Sequence, residues 1–373
     1  MPSLKHFPSP PRDRGIDSLR GLMLVGMAVN HIASQLQVLT DHPLGYTSMA
    51  EGFVFLSGLV AGLVYTRRRQ RLGMAEATKA SCRRACTIYQ YHVMLFLGVW
   101  AWAHVYFQIA HGPAGNTPAS MLEYPVASLV SGLFLVNQPG LLDILPMYAG
   151  FMLLLPTVLS ELEAGHRGRV LAVSFVGWVV TNLFWPQVPV EIGVLQTGAF
   201  NWGAWQFLFL IGAVCGHARA TGAKLLPRRE IGLFIPAIAL CAYCFMIRHW
   251  YWPAPFPSFA DWVNKNNLAP VRLLNTFALF FLIHLAFVRW PRAFTWRPLA
   301  LLGRHSLAVF STHIAVAYLL FAFPQTFAGA PARMWLGTII MIGALFAAAG
   351  WRERRRRPAV AERHAESRLR RAA

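Results

Sequence analysis

Arg20 and His31 stand eleven positions apart in an apolar stretch near the start of the chain. At 100° per residue they fall within about 20° of one helical face, and a rise of about 1.5 Å per residue separates them by roughly 16 Å. One face would then carry a guanidinium toward one end and an imidazole toward the other. An imidazole in apolar surroundings suits general-base activation of a hydroxyl. Asp17, three residues before Arg20, is placed to pair with it locally. The plainer alternatives are an Asp17–Arg20 membrane anchor and a His31 that bonds a neighbouring carbonyl.

A second group opens the next apolar stretch. Glu51 follows Ala50 and precedes Gly52, and Ser57 and Gly58 come soon after. The intervening loop is short, so Glu51 and His31 are expected at similar depth. A carboxylate beside an imidazole would fix its tautomer and support the imidazolium. Ser57-Gly58 also suits close helix packing by small residues. Arg83 and Arg84 end a basic cluster that begins at Arg67, and arginine forks match phosphate oxygens. Asp143 and Tyr148 lie at the start of a later apolar stretch, where Asp143 could equally cap a helix. Ser306 and His313 are seven residues apart and share a helical face within about 20°. His284 reads as structural. Cys241 and Cys244 have C-x-x-C spacing in an apolar run and read as packing. No His pair has a metal signature such as H-E-x-x-H, so no metal is expected.

These residues need a membrane to hold them. The chain has 373 residues, 56% hydrophobic and 13% charged. Soluble domains carry about 25% charged residues. The net charge of +19 and pI of about 10.7 suggest nucleic-acid binding at first. So apolar a composition argues against it, and no nucleic-acid partner is expected. Disorder is excluded by 26 Phe and 13 Trp, and a disulfide scaffold by only five Cys.

Helices crossing a bilayer need about 20 mostly apolar residues. Ten stretches qualify: 15–37, 49–66, 85–110, 141–160, 170–186, 203–219, 231–248, 270–289, 300–323 and 333–351. An eleventh, 120–137, is short and ends in Asn137-Gln138-Pro139-Gly140. Treating it as non-spanning puts 30 of the 34 Lys and Arg on one side. Only Arg248, Lys265, Arg272 and Arg333 are left on the other, a strong positive-inside bias. The expected fold is therefore all-α, a polytopic integral membrane protein with about ten transmembrane helices. Residues 1–14 form a cytoplasmic N-terminal segment, 15–351 the membrane domain, and 352–373 a basic cytoplasmic tail. The tail suits orientation and attraction to anionic lipid.

Several of these motifs together resemble a known family. Arg20 and His31 with ten residues between them are similar to the signature of the membrane acyltransferase-3 superfamily. The runs Arg14–Leu22, Ala50–Gly58, Asn137–Pro139 with Asp143–Tyr148, and Gly303–His313 resemble the OpgC family more closely. The resemblance covers about 12–350. It implies a ten-span inner-membrane enzyme of bacteria that succinylates osmoregulated periplasmic glucans, with cytoplasmic succinyl-CoA as donor substrate and no resident cofactor. It implies His31 as catalytic base and Arg20 as its partner on the donor side. Arg83 and Arg84 are assigned to the CoA phosphates. Glu51 is taken as a catalytic partner of His31, and Asp17, Ser57, Asp143, Tyr148, Ser306 and His313 as site-lining residues. The partners implied are acyl-CoA, a periplasmic glucan and the lipid bilayer. Two other readings stand beside this one. A related O-acetyltransferase would differ only in the acyl group. A proton-coupled secondary transporter would use Asp17, Glu51 and His31 as a relay, although no inverted repeat stands out.

Overall fold

The structure, a computed structural model, describes residues 13–32, 34–113, 117–185, 191–192, 195–196, 198–223, 230–322 and 331–372. Most of the expected segment 1–14, and the basic residues Lys5, Arg12, Lys224, Arg228 and Arg229, lie outside the described residues. What is described is helical, apart from a two-residue antiparallel ladder pairing Glu191–Ile192 with Leu195–Gln196.

The helices are α1 (Arg14–Asn30), α2 (Gln37–Thr40), α3 (Met49–Leu72), α4 (Met74–Ala110), α5 (Ala119–Glu123), α6 (Pro125–Leu133), α7 (Ile144–Glu163), α8 (Arg167–Phe184), α9 (Trp202–Thr221), α10 (Phe234–Arg248), α11 (Phe259–Trp262), α12 (Pro270–Arg289), α13 (Arg297–Arg304), α14 (Ser306–Phe321) and α15 (Pro331–Ala372). Five of them, α3, α4, α7, α12 and α15, are long and apolar enough to cross a membrane. The pair α13–α14, bent by 88°, would make a sixth. Of the remaining expected spans, α1 has 17 residues, α8 18, α9 20 and α10 15. These four are shorter or more polar, and the expected count of about ten rests on them.

Three boundaries differ from expectation for local reasons. The first span stops at Asn30 instead of running to 37. Beyond it, Gln37 Nε2 donates to the Ile32 carbonyl at 2.7 Å, and Asn30 Nδ2 donates to the Thr40 carbonyl at 3.0 Å. Side chains that bond the backbone locally offer it an alternative to helix. The basic cluster Arg67–Arg84 is not a loop. It lies on the end of α3 and the start of α4, joined by Gly73 at φ +85°. The ninth expected span is broken at His305, where α13 turns into α14.

Segment 120–137 forms α5 and α6, and α6 is only nine residues long. Trp100 Nε1 donates to the Pro125 carbonyl at 3.1 Å and the Tyr89 hydroxyl to the Leu133 carbonyl at 2.8 Å. The segment therefore descends along α4 antiparallel to it and turns back before α7. At nine residues, about 14 Å, α6 does not cross a bilayer.

Two close helix crossings set the frame. On α1 and α13, a Cβ at Gly21 would overlap the Leu299 carbonyl oxygen, and one at Gly303 the Asp17 carbonyl oxygen. On α3 and α9 the arrangement is reciprocal. Gly58 and Gly62 meet the carbonyls of Phe209 and Ala213, while Gly212 and Gly216 meet those of Phe55 and Leu59. Small residues let backbones approach where lipid supplies no hydrophobic drive between helices. The packing reading of Gly58 agrees with this contact.

Candidate active site at two adjoining cavities

The α1–α13 crossing decides where Arg20 points. It sits two turns into α1 and is 5% exposed. The break at His305 starts α14 beside it, and Arg20 Nη2 donates to Ser306 Oγ at 2.7 Å. The guanidinium also lies over the Phe53 ring, 5.8 Å from its centroid. The break is tied down from the last helix. Arg304 Nη1 and His305 Nε2 reach the two oxygens of Glu353 at 2.9 and 2.8 Å.

Arg20 lines a small cavity with Ser57, Arg84, Tyr148, Ser306 and Phe310. Ser57 is 1% exposed, and its hydroxyl has no hydrogen-bond partner among the described residues. Tyr148 meets Phe209 edge-on at 5.8 Å. Of the expected arginine pair, Arg84 is half-buried and lines the cavity, whereas Arg83 is exposed. Neighbouring residues on a helix are 100° apart, so one cavity rarely takes both. Asp17 is buried but lines neither cavity described here.

At the other end of α1, His31 occupies the C-terminal cap. Its Nδ1 is 3.0 Å from His313 Nε2, and the rings stack with centroids 5.1 Å apart. His313 is fully buried, while His31 is part-exposed and lines a second, larger cavity. Asp143 and Lys265 line the same cavity. Asp143 is 2% exposed. Its Oδ2 accepts from the Ala199 amide at 2.7 Å, while Oδ1 has no partner among the described residues. It makes no side-chain capping bond to α7, so the capping alternative is not realised.

The expected Glu51–His31 pair does not form. Glu51 is fully buried, and its Oε1 accepts from Arg272 Nη1 at 2.7 Å. Its Oε2 accepts from the Ser48 amide at 2.9 Å in a capping box that starts α3. Both carboxylate oxygens are engaged away from the imidazole. The antiparallel neighbour that the short loop predicted is there, but the capping box turns the side chain toward α12. His313, expected only to line the site, takes the place beside His31.

The two cavities share part of their walls, for Ile144 and Phe310 line both. Phe310 stacks on Phe53 at 6.0 Å and meets His313 edge-on at 4.9 Å. A thin apolar partition thus separates an arginine-lined cavity from a histidine-lined one.

Three features escaped the sequence reading. The imidazole pair joins residues 282 positions apart, and no local pattern announces such a contact. Phe310 is one of 26 phenylalanines. Lys265 did leave a trace, as one of only four basic residues on the side that positive-inside patterning leaves poor in charge.

Compared with known families, residues 12–357, nearly the whole chain, match the family model described as OpgC protein. No curated protein and no solved structure matches the chain.

Proposed function

The chain belongs to the OpgC family, and from that premise we propose that it is a membrane-bound O-acyltransferase. It moves a succinyl group from cytoplasmic succinyl-CoA to hydroxyls of periplasmic glucans. Membership implies a glucan-modifying acyltransferase, and the finer assignments are our reading. In that reading the protein lies in the bacterial inner membrane with both termini cytoplasmic. The observation that carries it is the His31–His313 pair, with His31 on the wall of one cavity and an arginine-lined cavity behind a shared wall.

CoA enters from the side of the basic cluster, and Arg84 meets its phosphates. Arg20 and Ser306 grip the donor arm. Roughly 16 Å separates Arg20 from His31 along α1, too far for both to touch one atom. The thioester therefore has to pass Phe310 to reach the histidines.

For His31 Nε2 to act as base, Nδ1 must carry the proton and donate it to His313 Nε2. His313 then fixes the tautomer as a positioning residue, the task expected of Glu51. His31 Nε2 takes the proton of a glucan hydroxyl. The hydroxyl oxygen attacks the thioester carbonyl, so a carbon–oxygen bond forms and the carbon–sulfur bond breaks. The thiolate leaves with the electron pair and receives the proton from His31, giving ester and free CoA. Ser57, whose hydroxyl has no hydrogen-bond partner among the described residues, lines the arginine cavity and is suited to hold the donor arm there.

Mass spectrometry of periplasmic glucans tests this directly, in cells with the gene, without it, and with His31→Ala. Succinyl mass is expected only with the intact gene. An acetyl mass would replace the donor assignment, and unmodified glucans in all three strains would overturn the acyl-transfer reading.

A further inference from the structure

The cavity lined by His31 contains a lysine that makes no contact ion pair among the described residues. Lys265 is 5.6 Å from the Phe200 ring centroid, and no carboxylate among the described residues lies within 4 Å of its ammonium. The neighbouring cations are already answered. Arg272 pairs with Glu51 at 2.7 Å, and Arg248 with Asp41 at 3.2 Å. Asp143 faces the same cavity beyond ion-pair distance.

The loop that carries Lys265 is held from three helices. Trp205 Nε1 donates to the Asn266 carbonyl at 3.0 Å, and Trp178 Nε1 to the Leu268 carbonyl at 2.9 Å. Asn182 Nδ2 donates to the Asn267 carbonyl at 2.9 Å, and Arg272 Nε to the Val263 carbonyl at 2.8 Å. Two indole donors and a buried arginine fix the backbone on both sides of one lysine. A flexible surface lysine needs no such support. Holding a charge in place before the ligand arrives lowers the ordering cost of binding.

An ammonium fixed on a cavity wall, with no carboxylate among the described residues in ion-pair contact, can take an anion. The anion must belong to something that reaches His31. We propose that Lys265 selects the acyl group, pairing with the distal carboxylate of a dicarboxylic chain whose thioester carbon is held at His31. This rests on the acyl-transfer reading and adds the residue that distinguishes succinyl from neutral chains of the same length. An anionic substituent on the acceptor is the competing source of the same charge.

The experiment uses the full chain purified in lipid nanodiscs, with an uncharged glucan oligosaccharide as acceptor. Succinyl-CoA is compared with butyryl-CoA, a neutral donor of equal chain length. Wild type is expected to prefer succinyl. In Lys265→Met that preference falls about ten- to hundredfold, the span that loss of one hydrogen bond to a charged group gives. Butyryl transfer stays within a few-fold, which also reports that the variant is folded. Lys265→Gln repeats the test if the methionine variant is not monodisperse, and Lys265→Arg retains most of the preference. An unchanged succinyl-to-butyryl ratio in the variants, with or without a common loss of rate, overturns the proposal and directs Lys265 to the acceptor or to the fold. A wild type that prefers butyryl also overturns it while leaving acyl transfer intact. A wild type that transfers neither chain overturns the acyl-transfer reading itself, and the selection proposal falls with it.

Discussion

The two cavities along α1 share a wall and differ in almost everything else. The one at the Arg20 end is the smaller and carries two arginines and two serines among mostly apolar side chains. The one at the His31 end is larger and carries two imidazoles, two carboxylates and a lysine, and Oδ1 of Asp143 has no partner among the described residues. The first suits a narrow anionic arm. The second has the volume and the mixed polar groups that a sugar chain needs. The difference teaches that, under the proposed acyl transfer, donor and acceptor would not compete for one pocket. Phe310 and Ile144 line both cavities and form the wall between them.

The sharpest way to break this division is at the base. His31→Ala should lower kcat by about a hundred- to ten-thousandfold, the usual contribution of a general base. The melting temperature should hardly move. His313→Gln should cost less and shift the pH profile, because it removes the partner that sets the tautomer. Equal activity of His31→Ala and wild type would leave the larger cavity without a catalytic role.

Glu51 offers the opposite signature. Its substitution by Gln leaves Arg272 buried without its carboxylate, and breaking a buried pair typically costs about 3–5 kcal/mol. Thermal unfolding in detergent should show a strong loss of stability. The molecules that remain folded should retain most of their kcat. A large kcat loss at unchanged stability would return Glu51 to the chemistry.

The arginine end is tested by its own neighbours. Arg84→Ala should raise KM for the acyl-CoA about tenfold, in line with loss of one charge-assisted contact. Arg83→Ala, exposed outside the cavity, should change KM by less than about twofold, as surface charges commonly do. The partition itself is tested by Phe310→Ala. A widened passage should admit water to the thioester and raise CoA release without acceptor by a few-fold, while acyl transfer falls.

The smallest effect concerns pH. Burial lowers the pKa of Lys265 below that of an ordinary lysine, and nearby Arg272 adds to the effect. Glu51, Asp143 and Asp41 act in the opposite direction. His31 and His42 line the same cavity. The ammonium is present below the lowered pKa and lost above it. The succinyl-to-butyryl ratio should therefore decline with rising pH before an ordinary lysine would titrate. In Lys265→Met the ratio should stay flat across the same range.

Much of the fold was legible because hydropathy is a local property. α12 runs over the expected 270–289, and α7 and α9 differ from expectation by a few residues. The basic cluster was visible as composition, but not as the junction of two helices, since a single glycine separates them. At the candidate site, Arg20 and His31 lie toward opposite ends of α1 and on the walls of different cavities, with the separation along the helix that their spacing gave. Glu51 does not, because a capping box and an arginine from α12 claim its oxygens. The spacing of Ser306 and His313 placed them on one face of α14, where Ser306 lines the smaller cavity and His313 lies behind His31. Their partners on α1 could not be read from that spacing.

The sequence by itself determined that the chain is a helical protein with several segments apolar enough to cross a membrane. It also placed an arginine and a histidine at opposite ends of one helix face. Both follow from the order of side chains along a helix of fixed pitch. Only the tertiary structure decided that His31 meets His313, that Glu51 meets Arg272, and that no carboxylate among the described residues lies within 4 Å of the Lys265 ammonium. Those pairings depend on where backbones can approach, above all at the glycine crossings of α1 with α13 and of α3 with α9. Such approaches are settled between helices distant in sequence, and no local pattern contains them.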